Sequence, residues 1–326
     1  KSINNKNSII LTTSGTTSSP KFVRLSNRNL FKNTEQIIDY LKIRKNDVTI
    51  TTLPMAYSFG LSILNSHLEK GSAIILNNDP VFSKNFWSKV NRFKVCSFGT
   101  VPIVYEYLKR INLEKFLTPS IKYLTVAGGK TDKRTLKYLL EVCKKNKIKF
   151  FVMYGQTEAS PRMSYLNLNK NPEKIESIGK PLKDSKFEIY KNELIFYGDN
   201  VSLGYAKNIK DLIKGDVNKG KLKTGDLGYK DKDNFFYIVG RKKRISKLFG
   251  LRIDLGDIEK TLKKNNLNIK IITDDNKIKI LTSNILNAEK IKNLITKNFK
   301  INKNFIEVID SKEEKKNTNF KNSIKL

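Results

Sequence analysis

An α/β fold is what the apolar patterning of this chain predicts: a layered large domain with a small β subdomain, followed by a small α+β C-terminal domain of lid size. Three observations carry it. Between residues 8 and 153, short apolar runs of strand length alternate with stretches whose apolar residues recur at helical spacing. From about residue 179 to 240 the signal changes to short strands separated by turns, and beyond Lys243 a modest α+β pattern of its own begins. These changes assign residues 1–242 to the large domain, with the β subdomain at about 179–240, and residues 243–326 to the C-terminal domain.

Ser8-Ile9-Ile10-Leu11 opens the first strand, residues 8–12, and Leu30, Ile37, Ile38 and Leu41 mark the first helix. Between them runs Thr12-Thr13-Ser14-Gly15-Thr16-Thr17-Ser18-Ser19-Pro20-Lys21, composed almost entirely of hydroxyls, glycine and lysine. Placed between a strand and a helix, such a loop can wrap an anion with N–H and hydroxyl donors. Gly15 lets the backbone approach it, and Lys21 adds a compact positive charge. Standing alone it would read as an ordinary Ser/Thr-rich turn, and the Walker spacing G-x-x-x-x-G-K-[ST] is absent. Further strands are expected at residues 48–53, 72–76, 95–98, 121–126 and 150–153, with helical patterns between them. In the β subdomain they fall at 187–190, 193–197 and 235–239, with Lys191-Asn192 as a hairpin turn. The C-terminal pattern runs through Ile258, Leu262, Ile269, Ile271 and Ile272 to Ile291, Leu294 and Ile295, and ends at Phe305, Ile306 and Val308.

Sixty-three Lys+Arg against 31 Asp+Glu give a net charge of +32, which raises nucleic acid or an anionic membrane as partners. The lysines, however, are mixed with Asn and Ile along the whole chain, as in Lys144-Lys145-Asn146-Lys147, and aromatic residues do not interleave with them. That pattern reads as solvated faces, so no nucleic-acid partner is expected. No apolar run approaches about 18 residues and no signal-peptide pattern opens the sequence, so no transmembrane segment and a cytoplasmic location are expected. Cys96 and Cys143 form no metal-ligand spacing and are expected as reduced, buried thiols. His67 follows Leu61 and Leu64 on a helical pattern and is expected to pack or lie at the surface rather than to catalyse.

Taken with Tyr154-Gly155-Gln156-Thr157-Glu158, Thr224-Gly225-Asp226 and Gly240-Arg241, the hydroxyl-rich loop resembles the signature of the adenylate-forming superfamily, which includes acyl-CoA synthetases, luciferases and peptide-synthetase adenylation domains. The blocks stand in family order over essentially the whole chain. In that family a substantial segment precedes the loop, so the resemblance implies a chain incomplete at its N-terminus. It also implies an ATP-dependent, AMP-forming ligase: a carboxylic acid and ATP give acyl-AMP and pyrophosphate, and the thiol of CoA or of a carrier protein's phosphopantetheine then takes the acyl group. The competing readings are a degenerate homologue that binds nucleotide without turnover, and a basic nucleic-acid-binding protein.

By resemblance, Thr13, Ser14, Gly15, Thr16, Thr17, Ser18 and Lys21 form the phosphate loop, although Ser18 and Phe22 stand where the family has glycine. Tyr154, with Gly155 and Gln156, would pack on adenine, Thr157 would touch the α-phosphate and Glu158 would carry Mg²⁺. Gly128 and Gly129 would let adenine and the acyl chain pass close to backbone. Asp226 would accept from both ribose hydroxyls, Arg241 would fork onto ribose or phosphate oxygens, and Tyr237 keeps the family spacing to both. Lys243 falls at the hinge of a mobile C-terminal lid, and Lys247 and Gly250 at the route of the acceptor thiol. Lys321, in Asn319-Phe320-Lys321-Asn322, is the nearest match to the adenylation lysine, with Phe320 in place of glycine.

For the acid, Leu53-Pro54-Met55-Ala56-Tyr57-Ser58-Phe59-Gly60-Leu61 resembles the block that opens the acyl pocket, with Tyr57 and Phe59 as its contacts. Amino-acid-activating relatives place an aspartate here, and this chain has none, so an uncharged acyl or aryl acid is expected. The wording is most similar to bacterial stand-alone acyl-CoA or acyl-carrier-protein ligases, which suggests fatty acid metabolism.

Overall fold

Five of the apolar runs become parallel strands, and parallel neighbours need crossover connections, which the intervening helical patterns supply. The computed structural model describes residues 3–12, 22–241, 245–248, 251–267, 269–273 and 277–310. They divide into two compact units between residues 242 and 243.

The first unit begins with β1 (Ile9–Thr12) and β2 (Phe22–Leu25), followed by α1 (Asn27–Leu41), β3 (Val48–Ile50), α2 (Ser58–Glu69), β4 (Ala73–Ile75) and α3 (Lys84–Arg92). Next come β5 (Ser97–Thr100), α4 (Pro102–Arg110), β6 (Tyr123–Val126), α5 (Lys133–Lys145), β7 (Lys149–Gly155), β8 (Arg162–Asn167) and β9 (Lys180–Pro181). Strands β3 to β9 form one seven-stranded sheet in the order β4-β3-β5-β6-β7-β8-β9, parallel from β4 to β7 and antiparallel beyond. One face is closed by Phe86, Tyr105, Leu108 and Leu139 packing on Phe98, Leu124 and Phe150, with edge-to-face ring pairs such as Tyr105–Phe150 at 5.5 Å. The other is covered by Ile37 and Tyr40 of α1 over Tyr123, Phe151 and Met153.

One expectation needs correction. The sequence pattern places the hydroxyl-rich loop between a strand and a helix within the α/β layering. Instead β1 pairs antiparallel with β2, Thr12 opposite Phe22, and both join β12 (Gly204–Ala206) in a separate three-stranded sheet. Phe22, where the family has glycine, is the first residue of β2. Arg24 in β2 is fully buried because its guanidinium donates to the carbonyls of Lys214 (2.5 Å), Leu203 (2.9 Å) and Gly215 (3.0 Å).

Helix α1 begins at a capping box in which Ser26 and Asn29 exchange side-chain and backbone bonds. Its polar residues then recur at helical spacing. Asn29 donates to the carbonyls of Asp199 and Val201 (2.7 Å each), Asn33 to that of Arg162 (2.9 Å) and Gln36 to that of Lys183 (2.5 Å), while Tyr40 reaches Met153 Sδ (2.9 Å). One helix face therefore holds four separate chain segments.

The β subdomain consists of β10 (Lys186–Tyr190), β11 (Glu193–Tyr197), β13 (Lys221–Lys230) and β14 (Phe236–Arg241), antiparallel in that order. Lys191 (φ 48°) and Asn192 (φ 62°) make the expected hairpin turn, both in the left-handed region that a type I′ turn requires. The second unit holds the hairpin β15 (Ile245–Leu248) and β16 (Leu251–Asp254), then α6 (Leu255–Lys264), β17 (Ile269–Thr273), β18 (Ile278–Thr282), α7 (Ala288–Phe299) and β19 (Ile306–Asp310). Its own core includes Ile258, Leu262, Ile271, Ile280, Ile291 and Ile295. Cys96 and Cys143 are free and buried, as expected. Among the described residues no helix is long and apolar enough to cross a membrane.

His67 is buried in α2, a packing histidine as expected. The Ile63 carbonyl 2.8 Å away can only accept, so Nδ1 carries the proton and Nε2 faces the Tyr123 hydroxyl at 3.4 Å. Burial lowers its pKa, outweighing the Ile63 carbonyl and Asp47, which raise it. With the folded pKa below the unfolded value of about 6.5, the unfolded chain binds the extra proton. His67 therefore contributes stability that is complete above about pH 6.5 and is lost as pH falls through the folded pKa. Urea unfolding between about pH 7 and pH 5 should show this loss in the native chain, and a flatter profile in His67→Gln.

Candidate active site

Strand β7 organises the site because successive side chains alternate between the two sides of the sheet. Met153 faces Tyr40 and the aromatic layer under α1, whereas Tyr154 faces the β subdomain and packs with Phe187, Ala159 and Met163. The strand ends at Gly155, where any Cβ would strike the Pro161 carbonyl, so the tight return into β8 demands glycine. β5, β6 and β7 run parallel, so Thr100, Gly128 and Gly129, and residues 155–158 emerge at one sheet edge, where α/β sheets place their ligands. Gly128 has φ +90°, which only glycine adopts readily.

On the β-subdomain side, Asp226 is 1% exposed, and two hydrogen-bond donors and one ion-pair partner converge on its carboxylate. The Tyr154 hydroxyl donates to Oδ2 at 2.5 Å and Gln156 Nε2 to the same oxygen at 2.9 Å, while Arg241 Nε pairs with Oδ1 at 2.6 Å. Gln156 also reaches the Thr224 carbonyl (2.9 Å), and the Thr224 hydroxyl accepts from the Asp226 N–H while donating to Leu194. Burial, and then the Asp226 charge, push the Tyr154 hydroxyl well above its ordinary pKa, so it remains a donor.

At the tip of β7, Thr157 Oγ1 lies 3.1 Å from Ser58 Oγ at the start of α2. Glu158 is 5% exposed; its Oε1 accepts from the Tyr205 hydroxyl (2.6 Å) and its carbonyl from the Ser202 N–H (2.9 Å). Tyr57 is exposed at the N-cap of α2, and the half-buried Phe59 ring lies against Gly99 and beneath the Arg162 guanidinium, 4.0 Å from its centroid.

The structure thus brings together Tyr154, Gln156, Asp226 and Arg241, and separately Thr157, Glu158 and the acyl block. It does not bring Tyr237 to Asp226. Tyr237 stacks on Tyr229 with centroids 4.9 Å apart and donates to Asp231 Oδ2 (3.1 Å), because the register shift opposite Leu227 and Gly228 leaves Val239 without a facing residue and reverses the faces along β14. Lys247 lies in β15 of the second unit. Thr13, Ser14, Gly15, Thr16, Thr17, Ser18, Lys21, Lys243, Gly250 and Lys321 lie outside the described residues. Sequence reasoning placed Ser58 within the acyl block but not beside Thr157, and missed Tyr205, which carried no signal beyond its type, and Arg162, whose charge in the run Arg162-Met163-Ser164-Tyr165-Leu166 was the available clue.

The donor set fits a nucleoside. A carboxylate offers about four lone-pair sites, and the Tyr154, Gln156 and Arg241 donors around Asp226 suit exchange with a vicinal diol. It also fits Mg²⁺. Among the described residues no group of three His, Cys, Asp or Glu could hold a metal unaided, and the single carboxylate of Glu158 beside Thr157 is what a cation carried on phosphates requires.

Residues 3–205 match the AMP-binding enzyme family, and the chain belongs to that family. Its relatives include the 2-succinylbenzoate–CoA ligase of Bacillus cereus, 30% identical over 265 residues that make up 78% of this chain and 53% of that protein. The ligase of the same name from Bacillus mycoides shows the same identity and coverage. The chain therefore spans about half the length of the curated relatives it matches. Among solved structures, o-succinylbenzoate coenzyme A synthetase (MenE) from Bacillus subtilis in complex with AMP is 28% identical, with a TM-score of 0.62 over 74% of this chain and 63% of that one. Another structure of that enzyme, bound with a product analogue, aligns over 94% of this chain and 66% of that one with a TM-score of 0.74; at 22% identity this is a likeness of fold alone.

The glycine at the end of β7 gives a test of the geometry. Gly155→Ala should cost about 1–3 kcal/mol in urea unfolding, as overpacking against backbone does. Gly240→Ala, where a Cβ meets nothing within 4 Å, should stay within about 0.5 kcal/mol.

Proposed function

We propose that this chain is the catalytic part of an ATP-dependent, AMP-forming acid–thiol ligase. It would activate a carboxylic acid as acyl-AMP with release of pyrophosphate and pass the acyl group to the thiol of CoA or of a carrier-protein phosphopantetheine. The observation that carries the reading is the division of β7. The buried Asp226 cluster suited to ribose lies on one side, the aromatic layer beside Phe59 suited to an acid on the other, and Thr157 and Glu158 stand at the tip between them. An attacking carboxylate and an α-phosphate are both anions, so their meeting needs fixed donors where charge develops. Thr157 supplies a hydroxyl positioned by Ser58, and Glu158 is oriented by Tyr205. Glu158 would hold Mg²⁺, which when bound would supply positive charge to offset that of the phosphates. The relatives named above are CoA ligases, which supports CoA as acceptor.

The roles of Lys321 in adenylation, of Lys247 and Gly250 along the thiol route, and of Lys243 as the hinge of a mobile lid rest on family likeness and belong to the same proposal. The acid class is kept at acyl or aryl carboxylates; a place in fatty acid metabolism is its narrower version, separated by whether straight-chain acids drive turnover. Two free, buried cysteines suit a reducing, cytoplasmic setting.

Isothermal titration should show Mg-ATP binding that weakens about 10- to 100-fold in Asp226→Ala, the loss expected for hydrogen bonds to a charged group. Absence of binding, or no effect of the substitution, would overturn the nucleotide assignment. Pyrophosphate exchange with a panel of acids then separates a working ligase from a nucleotide-binding homologue without turnover. Lys321→Ala should lower exchange while sparing thiol transfer from preformed acyl-AMP, and equal loss of both steps would remove Lys321 from its role.

A further inference from the structure

The turn after β7 is fastened to the segment that leads into β12 by a set of backbone and amide bonds. The Glu158 carbonyl accepts from the Ser202 N–H (2.9 Å), Asn200 Nδ2 donates to the carbonyls of Ala159 (2.7 Å) and Arg162 (2.8 Å), and Ser160 Oγ donates to the Asn200 carbonyl (2.9 Å). β12 is itself locked in place, because Arg24 donates to the Leu203 carbonyl and Tyr205 stands opposite Val23 of β2. Those bonds hold the two segments together whether or not residue 205 carries a hydroxyl. The hydroxyl of the exposed Tyr205 adds a contact of another kind: it donates to Glu158 Oε1 at 2.6 Å, the length of a charge-assisted bond.

That contact takes one oxygen of a carboxylate that is only 5% exposed. Its other oxygen, Oε2, has no hydrogen-bond partner among the described residues. Since the backbone of Tyr205 is fixed by the sheet, the carboxylate cannot turn about its last bond without losing the hydroxyl. The bond also draws charge onto Oε1, which leaves Oε2 as the one full-strength ligand. Such a group treats the two common hard cations differently. Mg²⁺ is small, demands near-octahedral geometry and takes few protein oxygens beside phosphates and water, whereas Ca²⁺ takes more oxygens in flexible geometry and accepts both oxygens of one carboxylate. We propose that Tyr205 sets the metal preference of the site: by holding Glu158 as a one-oxygen ligand, it favours Mg²⁺ over Ca²⁺ as the cation that accompanies ATP. Tyr205 is thus a positioning residue that acts through Glu158. The inference rests on the assignment of Glu158 to the metal.

The test is calorimetric binding of ATP to the full chain, with either Mg²⁺ or Ca²⁺ in saturating excess over the nucleotide. The native chain should bind ATP about 10-fold more tightly with Mg²⁺, a difference of the size that one hydrogen bond to a charged group sets. Tyr205→Phe should bring the two affinities to within about twofold of each other, with its urea midpoint at the native value. Glu158→Gln should lose the preference as well, and adding Tyr205→Phe to it should change nothing further, because the effect passes through that carboxylate. A native chain that binds both complexes alike, or a Tyr205→Phe variant that loses both in equal proportion, would overturn the proposal and leave the tyrosine structural. If no acid drives pyrophosphate exchange, the ligase reading fails and the comparison of the two cations still decides this one. If ATP binds with neither cation, the nucleotide assignment falls and the proposal falls with it.

Discussion

The Asp226 carboxylate is the constraint on which the rest of the site depends. A charge almost fully withdrawn from water has to be answered by donors in fixed places, and here they come from β7, from the turn that follows it and from β14. The seven-stranded sheet and the antiparallel subdomain are separate sheets that also meet at the Gly179–Phe236 bridge and where Tyr154 and Met163 pack with Phe187. Removing one partner from such a buried set costs about 3–5 kcal/mol, because the remaining charge is stranded. The electrostatics that suit the site to a polyol thus also fix the register between two layers.

A second constraint is geometric. One strand serves two chemistries because alternation puts its odd and even residues in different rooms: Tyr154 with the polar cluster, Met153 and Gly155 with the aromatic layer. The price is the glycine at position 155, since β8 must turn back where a side chain would strike backbone.

Much of this was legible in the sequence, and the failures have physical causes. Buried parallel strands leave bounded apolar runs, so β3 to β7 could be placed within a few residues, and the turn chemistry of Lys191-Asn192 located the hairpin. Strand β1 was found but given the wrong sheet, because four apolar residues look alike in a hairpin and in a parallel layer, and β2 was hidden by Arg24, a charge that reads as exposed until its three carbonyls are seen. Within the site, the motif residues Tyr154, Gln156, Asp226 and Arg241 meet as their blocks implied. Tyr237 does not, because even spacing keeps two residues on one face only in an unbroken strand, and the shift at Leu227 and Gly228 breaks it. Arg162 escaped for the same reason as Arg24: one sequence does not reveal which charges lie inside.

The polar stripe of α1 has a consequence for how this chain can change. Asn29, Asn33, Gln36 and Tyr40 reach Asp199 and Val201, Arg162, Lys183 and Met153 because they are four, three and four residues apart on one helix. Adding or deleting a single residue inside that helix would turn everything beyond it by about 100°, the angle set by 3.6 residues per turn. Those partners would be lost together. Lineages carrying this helix are free to lengthen the loops that lead away from it, but the loops it grips, and the helix itself, have to keep their length in step.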